Sequence, residues 1–562
     1  MNGAEYIVEF LNKAGVEVCF GYPGGAVLTL YNALDKAEFE HILTGHEQGA
    51  VHAAEGYSRA TGKTGVVFAT SGPGATNIVT GIANAFLDST PILAITGQVA
   101  ANYIGRDSFQ EADIQGITIP ITKYNRLIKD VSGLPDALNL AWKTASEGRG
   151  GPVLLDITKN VFAAELPEDL IRWYKPDTAK QTADTYSLNK ALEMIKKSKR
   201  PVILAGGGVA ANSGASALLL SIMEKYKIPA VTTIMGKGAI PEKHEHCLGI
   251  VGMHGVPAAN MALSFCDVLI AVGTRFSDRV IGNPEKYKES RKIIHVDIDH
   301  AELNKNIIAD ICINMESDGF LKYIYENLDC GYNKWFNDCI KYKNDYPMEF
   351  YEESRLMPQY VISEISKRID DETPVITDVG QHQMFSAQYA KMQKPRKFIT
   401  SGGLGTMGFG LPASVGAAIA NKGKNAVLFV GDGGIQMTIQ ELATIKKYNL
   451  PVKIFVMDNA CLGMVRQWQE LFYNKFYSQS ILNDNPNFTA IARGYGIDGM
   501  EICGKEEFDS NIDNILNENK PMLVHCHIPQ TENVFPMVSP GSNPIDMIDI
   551  NGEKIIKELK YE

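Results

Sequence analysis

The chain has 562 residues, 45% hydrophobic and 21% charged, with 54 Lys/Arg against 65 Asp/Glu for a net charge of −11. At about 150 residues per domain this length allows three or four packed domains, and the composition excludes whole-chain disorder and a collagen-like fibre. An acidic balance without a long basic run argues against nucleic acid or an anionic membrane as partner, so any anionic substrate must be drawn in by a local site. The first residues, MNGAEYIVEFLNKAG, lack the basic start and apolar run of a signal peptide. No apolar stretch reaches the ~18 residues that a membrane span needs. Nine cysteines lie scattered from Cys19 to Cys526 without a C-x-x-C pair, which fits reduced thiols and a cytoplasmic enzyme or subunit.

In chain order, short apolar runs rich in β-branched residues alternate with helical patterns. The first third predicts strands over 65–70, 91–96 and 152–157; the middle third over 201–205, 267–272 and 292–297; the last third over 374–377, 426–430, 452–456 and 522–525. Runs of this kind suit parallel strands covered on both faces. The expected fold class is α/β, with three doubly wound parallel-sheet domains over 1–165, 187–330 and 358–530 and a C-terminal tail over 531–562 that could close over a site. Polar, patternless stretches over 164–186 and 329–358 read as linkers, and no short-period repeat is visible.

The most specific chemical signal is Gly431-Asp432-Gly433 at the end of the strand over 426–430, with Asn459 placed 27 residues beyond Asp432 at the end of the next strand. Ligands of doubly wound sheets sit outside the carboxyl ends of the strands. A carboxylate, an amide oxygen and the nearby Cys461 carbonyl are hard oxygen donors suited to Mg²⁺ that keeps water and diphosphate oxygens as its remaining ligands. Gly433 and Gly434 let backbone N–H groups approach phosphate at a helix start.

The middle third carries Gly206-Gly207-Gly208, Gly252-Met253-His254-Gly255, Gly273-Thr274-Arg275 and Asp297-Ile298-Asp299, a generic nucleotide-binding pattern. Gly403–Gly408 formally matches G-x-G-x-x-G, which on its own would suggest a dinucleotide-dependent dehydrogenase. The acid about 24 residues beyond it, however, is Asp432, already placed in the metal motif. His525 and His527 share one strand face, but with no third ligand close in sequence they read as buried strand residues and not as a metal pair.

Further motifs occur in order: Gly21-Tyr22-Pro23-Gly24-Gly25, His46-Glu47-Gln48-Gly49, Ser71 to Asn77, Phe109-Gln110-Glu111, Asp278-Arg279-Val280, Gly405 to Pro412 and Leu462 to Trp468. Together with the Asp432/Asn459 spacing, they make nearly the whole chain resemble the catalytic subunits of the acetolactate synthase (acetohydroxyacid synthase) family of thiamine-diphosphate enzymes. The resemblance implies decarboxylation of pyruvate and addition of the resulting two-carbon unit to a second pyruvate or to 2-oxobutyrate. The products would be 2-acetolactate or 2-aceto-2-hydroxybutyrate, at the entry to valine, leucine and isoleucine synthesis.

The cofactors implied are thiamine diphosphate, Mg²⁺ and FAD. By similarity, Glu47 contacts the aminopyrimidine ring nitrogen and favours its imino tautomer. Gly405 and Met407 hold that ring, while Gln381, His382, Gly431, Gly433 and Gly434 meet the diphosphate. FAD contacts would be Arg149, Gly206, Gly207, Gly208, Thr233, Met253, His254, Gly273, Thr274, Arg275, Arg279, Val280, Asp297 and Ile298.

Arg279 is the guanidinium expected to take the second substrate's carboxylate, with Trp468 and Met253 shaping its pocket; Gly25, Phe109, Gln110 and Lys123 fill positions near the reacting centre. A homodimer or dimer of dimers follows by similarity, as does a small regulatory subunit. A flavin-dependent pyruvate oxidase and a glyoxylate carboligase are the nearest competing readings. Gly45, Arg106, Asp458, Ser277 and Asn314-Met315 depart from the family pattern, the last three positions within the expected flavin and metal surroundings.

Overall fold

A computed structural model describes residues 1–176, 183–350 and 355–556. Three parallel sheets organise them. The first contains β1 (Val18–Gly21), β2 (Glu40–Leu43), β3 (Gly65–Ala69), β4 (Ile92–Gln98), β5 (Tyr124–Ile128) and β6 (Pro152–Thr158), in the order β2-β1-β3-β4-β6-β5. The second contains β7 (Pro201–Ala205), β8 (Ala230–Thr232), β9 (Val268–Val272), β10 (Lys292–Asp297) and β11 (Ile311–Asn314), in the order β11-β10-β9-β7-β8. The third contains β12 (Val375–Thr377), β13 (Phe398–Ile399), β14 (Ala426–Gly431), β15 (Val452–Asp458), β16 (Asp498–Ile502) and β17 (Met522–His527), in the order β13-β12-β14-β15-β17-β16. A small antiparallel pair, β18 (Met537–Val538) and β19 (Met547–Ile548), organises the tail.

All ten strands expected from the sequence are present. The six edge strands, β2, β5, β8, β11, β13 and β16, were not expected, and neither was the short interior strand β1. An interior parallel strand is covered on both faces, so it is buried along its whole length and mostly apolar, as β3, β4, β6 and β14 are. Among the few polar side chains of β4 and β6, Thr96 and Gln98 donate to Asp156. Edge strands are released from that demand: β2 reads Glu-His-Ile-Leu and β16 Asp-Gly-Met-Glu-Ile, each half exposed. The stretch over 329–358, expected as a linker, contains a helix over Asn333–Asp345 that buries Trp335, Phe336 and Cys339 on one face. Within the two expected linkers, positions 177–182 and 351–354 lie outside the described residues. No helix among the described residues is long and apolar enough to cross a membrane.

The first and third sheets have the same strand order, a long internal repeat that the sequence does not display. The helices at corresponding places, Glu47–Thr61 and Gly410–Ala420, pack on each other with their backbones in contact. A Cβ on Gly56 would lie 2.8 Å from the carbonyl carbon of Ala413, and one on Gly416 would lie 2.8 Å from the carbonyl carbon of Ala53. The obstruction is thus reciprocal, glycine against the residue three before the opposing glycine. One apolar core runs from Val67 and Ala94 through these helices to Leu428 and Val456, joining the two sheets.

Because backbone cannot rotate away as a side chain can, Gly416→Ala should destabilise the chain by about 3 kcal/mol, the upper part of the over-packing range. Gly494→Ala, whose Cβ would meet open space, should leave the thermal unfolding midpoint essentially unchanged. Equal midpoints for the two variants would contradict the backbone contact.

Candidate active site

Strand order places a topological switch between β12 and β14, where the residues following both strands diverge and leave a crevice. There Gly431 pairs with Met457 across β14 and β15, so Asp432 and Asn459 leave neighbouring strands at the same edge. The second sheet has its own switch between β7 and β9. Gly206–Gly208 and Gly273 meet there so closely that a Cβ on Gly208 would fall 2.9 Å from the Gly273 Cα. Both crevices open into one cavity of ≈ 1080 Å³.

That cavity is lined by Gln381, His382, Gly405, Met407, Gly431, Asp432, Gly433, Gly434, Asn459, Cys461 and Trp468 from the third part of the chain. The middle part contributes Gly207, Gly208, Thr233, Met253, His254, Gly273, Thr274, Arg275, Arg279, Val280, Asp297 and Ile298; Arg149 comes from the first. Gly206 stands just behind the lining, packed on Gly273.

Asp432 is 2% exposed, and the Asn485 side-chain amide donates to its Oδ2 at 2.7 Å and to Asp458 Oδ1 at 3.0 Å. Burial, reinforced by the neighbouring Asp458, pushes the Asp432 carboxyl up to about 7, a penalty that a bound cation would reverse. Burial also raises Asp458, but His525, the Ala460 N–H and Asp432 outweigh it and hold this carboxyl below its ordinary range. Asn459 donates to Gln381 Oε1 at 3.1 Å, while its own Oδ1 accepts the Cys461 N–H at 3.2 Å. His382 is buried, its Nε2 has no hydrogen-bond partner, and burial lowers its imidazole to about 4. A partnerless buried nitrogen on the wall of a cavity matches an incoming phosphate oxygen.

In the second crevice, burial and the adjacent Arg149 both disfavour the charge of Arg275, a situation that an anionic group relieves. Arg149 itself is engaged by Asp299 at 3.0 Å and Glu302 at 2.6 Å. The Asn314 amide holds the carbonyls of Asp297 and Ile298 at 3.0 and 2.9 Å and so braces the end of β10. Met315 and Ser277 line the cavity. Nearby, the Arg279 guanidinium stands 5.9 Å from the Trp468 ring centre and 3.8 Å from Met253 Sδ.

The remaining expected residues lie elsewhere. Glu47, Gly25, Phe109, Gln110 and Lys123 are not among those lining the cavity. Glu47 opens the helix Glu47–Thr61, which His46 caps through its side chain. Its Oε2 accepts from the Asn77 amide at 2.9 Å, while a Cβ on Gly74 would sit 3.1 Å from Oε1. This is the switch region of the first sheet, between β1 and β3. Gly25 borders open space there, Gln110 adopts φ 59° against Gly72, and Phe109 is 88% exposed. Lys123 is turned away, its ammonium held by the carbonyls of Thr144 and, at 2.6 Å, Arg149.

Several positioning groups escaped the sequence reading. Asp378, fully buried, accepts N–H groups from Val379, Gly408 and Gly410 at 2.8, 3.1 and 2.7 Å and so shapes the segment that carries Gly405 and Met407. Asp88 accepts from Gly402 and Gly403 on the same segment. Asn84 accepts from Ser401 and Thr406 and donates to Glu55. Only the Asp after the strand over 374–377 left a signal, its place at the carboxyl end of a strand. The tail packs along the helix Gly463–Phe472, with Gln467 bonded to Val534 in both directions and Gln381 donating to the Glu532 carbonyl.

Comparison with known proteins agrees with this architecture. Three models match in order: the thiamine pyrophosphate enzyme N-terminal TPP-binding domain over 1–117, the central domain over 188–324 and the C-terminal TPP-binding domain over 378–526. The chain is 42% identical over 550 residues to the acetolactate synthase isozyme 2 large subunit of Escherichia coli, covering 98% of this chain and all of the relative. It is 43% identical to the acetolactate synthase large subunit of Lactococcus lactis, covering 98% and 96% of the two chains. A probable acetolactate synthase large subunit of Methanocaldococcus jannaschii is likewise 43% identical, covering 100% and 98%. With its metal-type strand ends, its glycine-clasped second crevice and relatives matched along their whole length, the chain belongs to the acetolactate synthase large-subunit family of thiamine pyrophosphate enzymes.

Proposed function

We propose that this chain decarboxylates pyruvate and joins the two-carbon unit to a second 2-oxoacid, giving 2-acetolactate from pyruvate and 2-aceto-2-hydroxybutyrate from 2-oxobutyrate. The observation that carries this reading is the meeting of Arg279, Trp468 and Met253 in the same cavity as Asp432 and Asn459. A site for a second anionic substrate thereby adjoins a site for a diphosphate and its cation.

The residues present fit the three cofactors of this reading. Asp432, Asn459 and the Cys461 carbonyl would hold Mg²⁺, and Gln381, His382, Gly431, Gly433 and Gly434 would receive the diphosphate of thiamine diphosphate. Bound there, the thiazolium ring supplies the electron sink that decarboxylation of a 2-oxoacid requires. Gly405 and Met407, just ahead of Gly408 and Gly410, whose N–H groups Asp378 accepts, would set the orientation of the aminopyrimidine. The Glu47 carboxyl, one oxygen fixed by Asn77, would hold a proton at the aminopyrimidine ring nitrogen. Arg149, Arg275 and the glycines of the second crevice would bind FAD, which this reading gives no step in carboligation. Arg279 would bind the second carboxylate by a charge-assisted, two-pronged contact, and Trp468 with Met253 would exclude water and set the room left for a methyl or ethyl group.

Glu47, Gly25, Phe109 and Gln110 do not line the cavity that Asp432 lines, which supports a homodimer, or a dimer of dimers, in which each chain completes the other's site. The relatives' description as large subunits supports a small regulatory partner, and the nine unpaired cysteines support a cytoplasmic setting. We divide the chain into domains over 1–165, 187–330 and 358–530, with the tail over 531–562 as a cover for the site; its last residues, 557–562, lie outside the described set.

Purified protein with thiamine diphosphate, Mg²⁺, FAD and pyruvate should release CO₂ and acetolactate, resolved by mass spectrometry. Acetate with peroxide, or acetaldehyde alone, would reject the second-substrate site at Arg279 and Trp468. Glu47→Gln should lower kcat by about 10²–10⁴-fold, the usual worth of a positioned acid–base group, with cofactor affinity retained; unchanged turnover would remove Glu47 from the chemistry. In Trp468→Leu the product ratio between 2-oxobutyrate and pyruvate should move by about 1–3 kcal/mol, the scale on which an apolar pocket senses one methylene. A constant ratio would mean that this indole does not shape the pocket.

A further inference from the structure

The histidine pair on β17 has third and fourth neighbours that its own sequence does not reveal. Asp458 lies opposite His527 across β15 and β17, and Glu501 lies opposite His525 across β16 and β17. In-register residues of parallel strands project to the same face, and positions 525 and 527 share that face too. Three strand ends therefore converge their polar side chains at one carboxyl edge of the third sheet. The donor atoms of Asp458, His525 and His527 all lie within 4.8 Å of one another. His525 Nε2 is 2.7 Å from Asp458 Oδ2 and His527 Nε2 is 2.6 Å from Glu501 Oε1, with the two imidazole centres 4.3 Å apart.

We propose that Asp458, His525 and His527 bind one divalent transition-metal ion of the zinc class, at a site distinct from the Asp432/Asn459 set.

Two imidazoles and a carboxylate select such an ion by their softness, whereas an all-oxygen set selects Mg²⁺. A tetrahedral ion bonded at about 2.0–2.2 Å holds its ligands roughly 3.3 Å apart, so these donors need to shift only modestly to close around it. Asp458 is prepared for the role: its Oδ1 is occupied by the Ala460 N–H at 2.9 Å and by Asn485, which leaves Oδ2 directed at the histidines and the carboxylate oriented by its own hydrogen bonds. Each ring binds through its Nε2 lone pair, and its single proton moves to Nδ1 by exchange with water, so both imidazoles remain neutral. His527, with its side chain 40% exposed, opens the site to solvent, so a water or the Glu501 carboxylate completes the coordination. Cys526 points to the opposite face of the strand and takes no part.

The test is a Zn²⁺ titration of the full-length holoprotein, loaded with thiamine diphosphate and millimolar Mg²⁺, against a chromogenic chelator, with Co²⁺ as a spectroscopic substitute. About one ion per chain should bind in the presence of excess Mg²⁺. His527→Ala, a partly exposed change that leaves the core untouched, should weaken binding by more than the roughly 10–100-fold that follows loss of an outer-shell partner. The Co²⁺ spectrum should show no sulfur-to-metal band. Equal affinity in His527→Ala, or displacement of the ion by Mg²⁺, would overturn the proposal. So would loss of binding in Cys503→Ser together with a sulfur-to-metal band, because the ion would then belong to Glu501, Cys503 and His527, which also converge.

Discussion

The arrangement of this protein depends on one contact, the crossing of the helices Glu47–Thr61 and Gly410–Ala420 at Gly56 and Gly416. With a Cβ on either glycine the backbones could not meet, and the sheets that carry these helices would separate or rotate. The first helix begins at Glu47; the second follows directly on the segment that carries Gly405 and Met407. A single backbone-to-backbone contact therefore fixes where two different halves of the proposed machinery stand in one chain. Polar groups beside the crossing reinforce it. Glu55, Asn84, Ser401 and Thr406 are all buried and bonded to one another. A buried polar group left without a partner costs about 1–3 kcal/mol, so this network is satisfied in one arrangement of the two segments and penalised in others.

Glycine works in a second way at the sheet edges. At the switch of the second sheet, Gly206, Gly208 and Gly273 pack backbone against backbone, so that two loops meet at the cavity wall. At the switch of the third sheet the loops stay apart, and Asp378, Asp432, Asn459 and His382 occupy the space between them. The same topology thus brings the loops into backbone contact in one domain and leaves a polar crevice between them in another. The identical strand order of the first and third sheets extends the contrast: one switch carries Glu47 and the open Gly25, the other the acidic strand ends. The two switches thus carry different groups, and those of the first do not line the cavity that the third opens into.

The charge pattern of the third sheet follows from its register. Asp432 and Asp458 leave adjacent strands, and the Asn485 amide bridges them because it donates to both carboxylates at once. His525 then balances Asp458 from the other side. Asp458 is therefore tied into the end of the sheet by His525 on β17 as well as by Asn485.

Interior strands were legible in the sequence because burial on both faces forces an apolar run; edge strands such as β5 and β16 were not, because one open side lifts that demand. The Asp432/Asn459 spacing and the glycine clusters were legible because a strand end fixes where each residue emerges. What the sequence could not determine was which emerging residues share a space. It grouped Glu47, Phe109 and Lys123 with the other site residues, whereas within one chain none of the three lines the cavity, and the Lys123 ammonium is held by the carbonyls of Thr144 and Arg149. It dismissed His525 and His527 for want of a third donor, which the pairing of β15 with β17 provides. Local chemistry and periodicity are properties of the chain read along its length; proximity across strands and between domains depends on register and on a helix crossing, which only the tertiary structure decides.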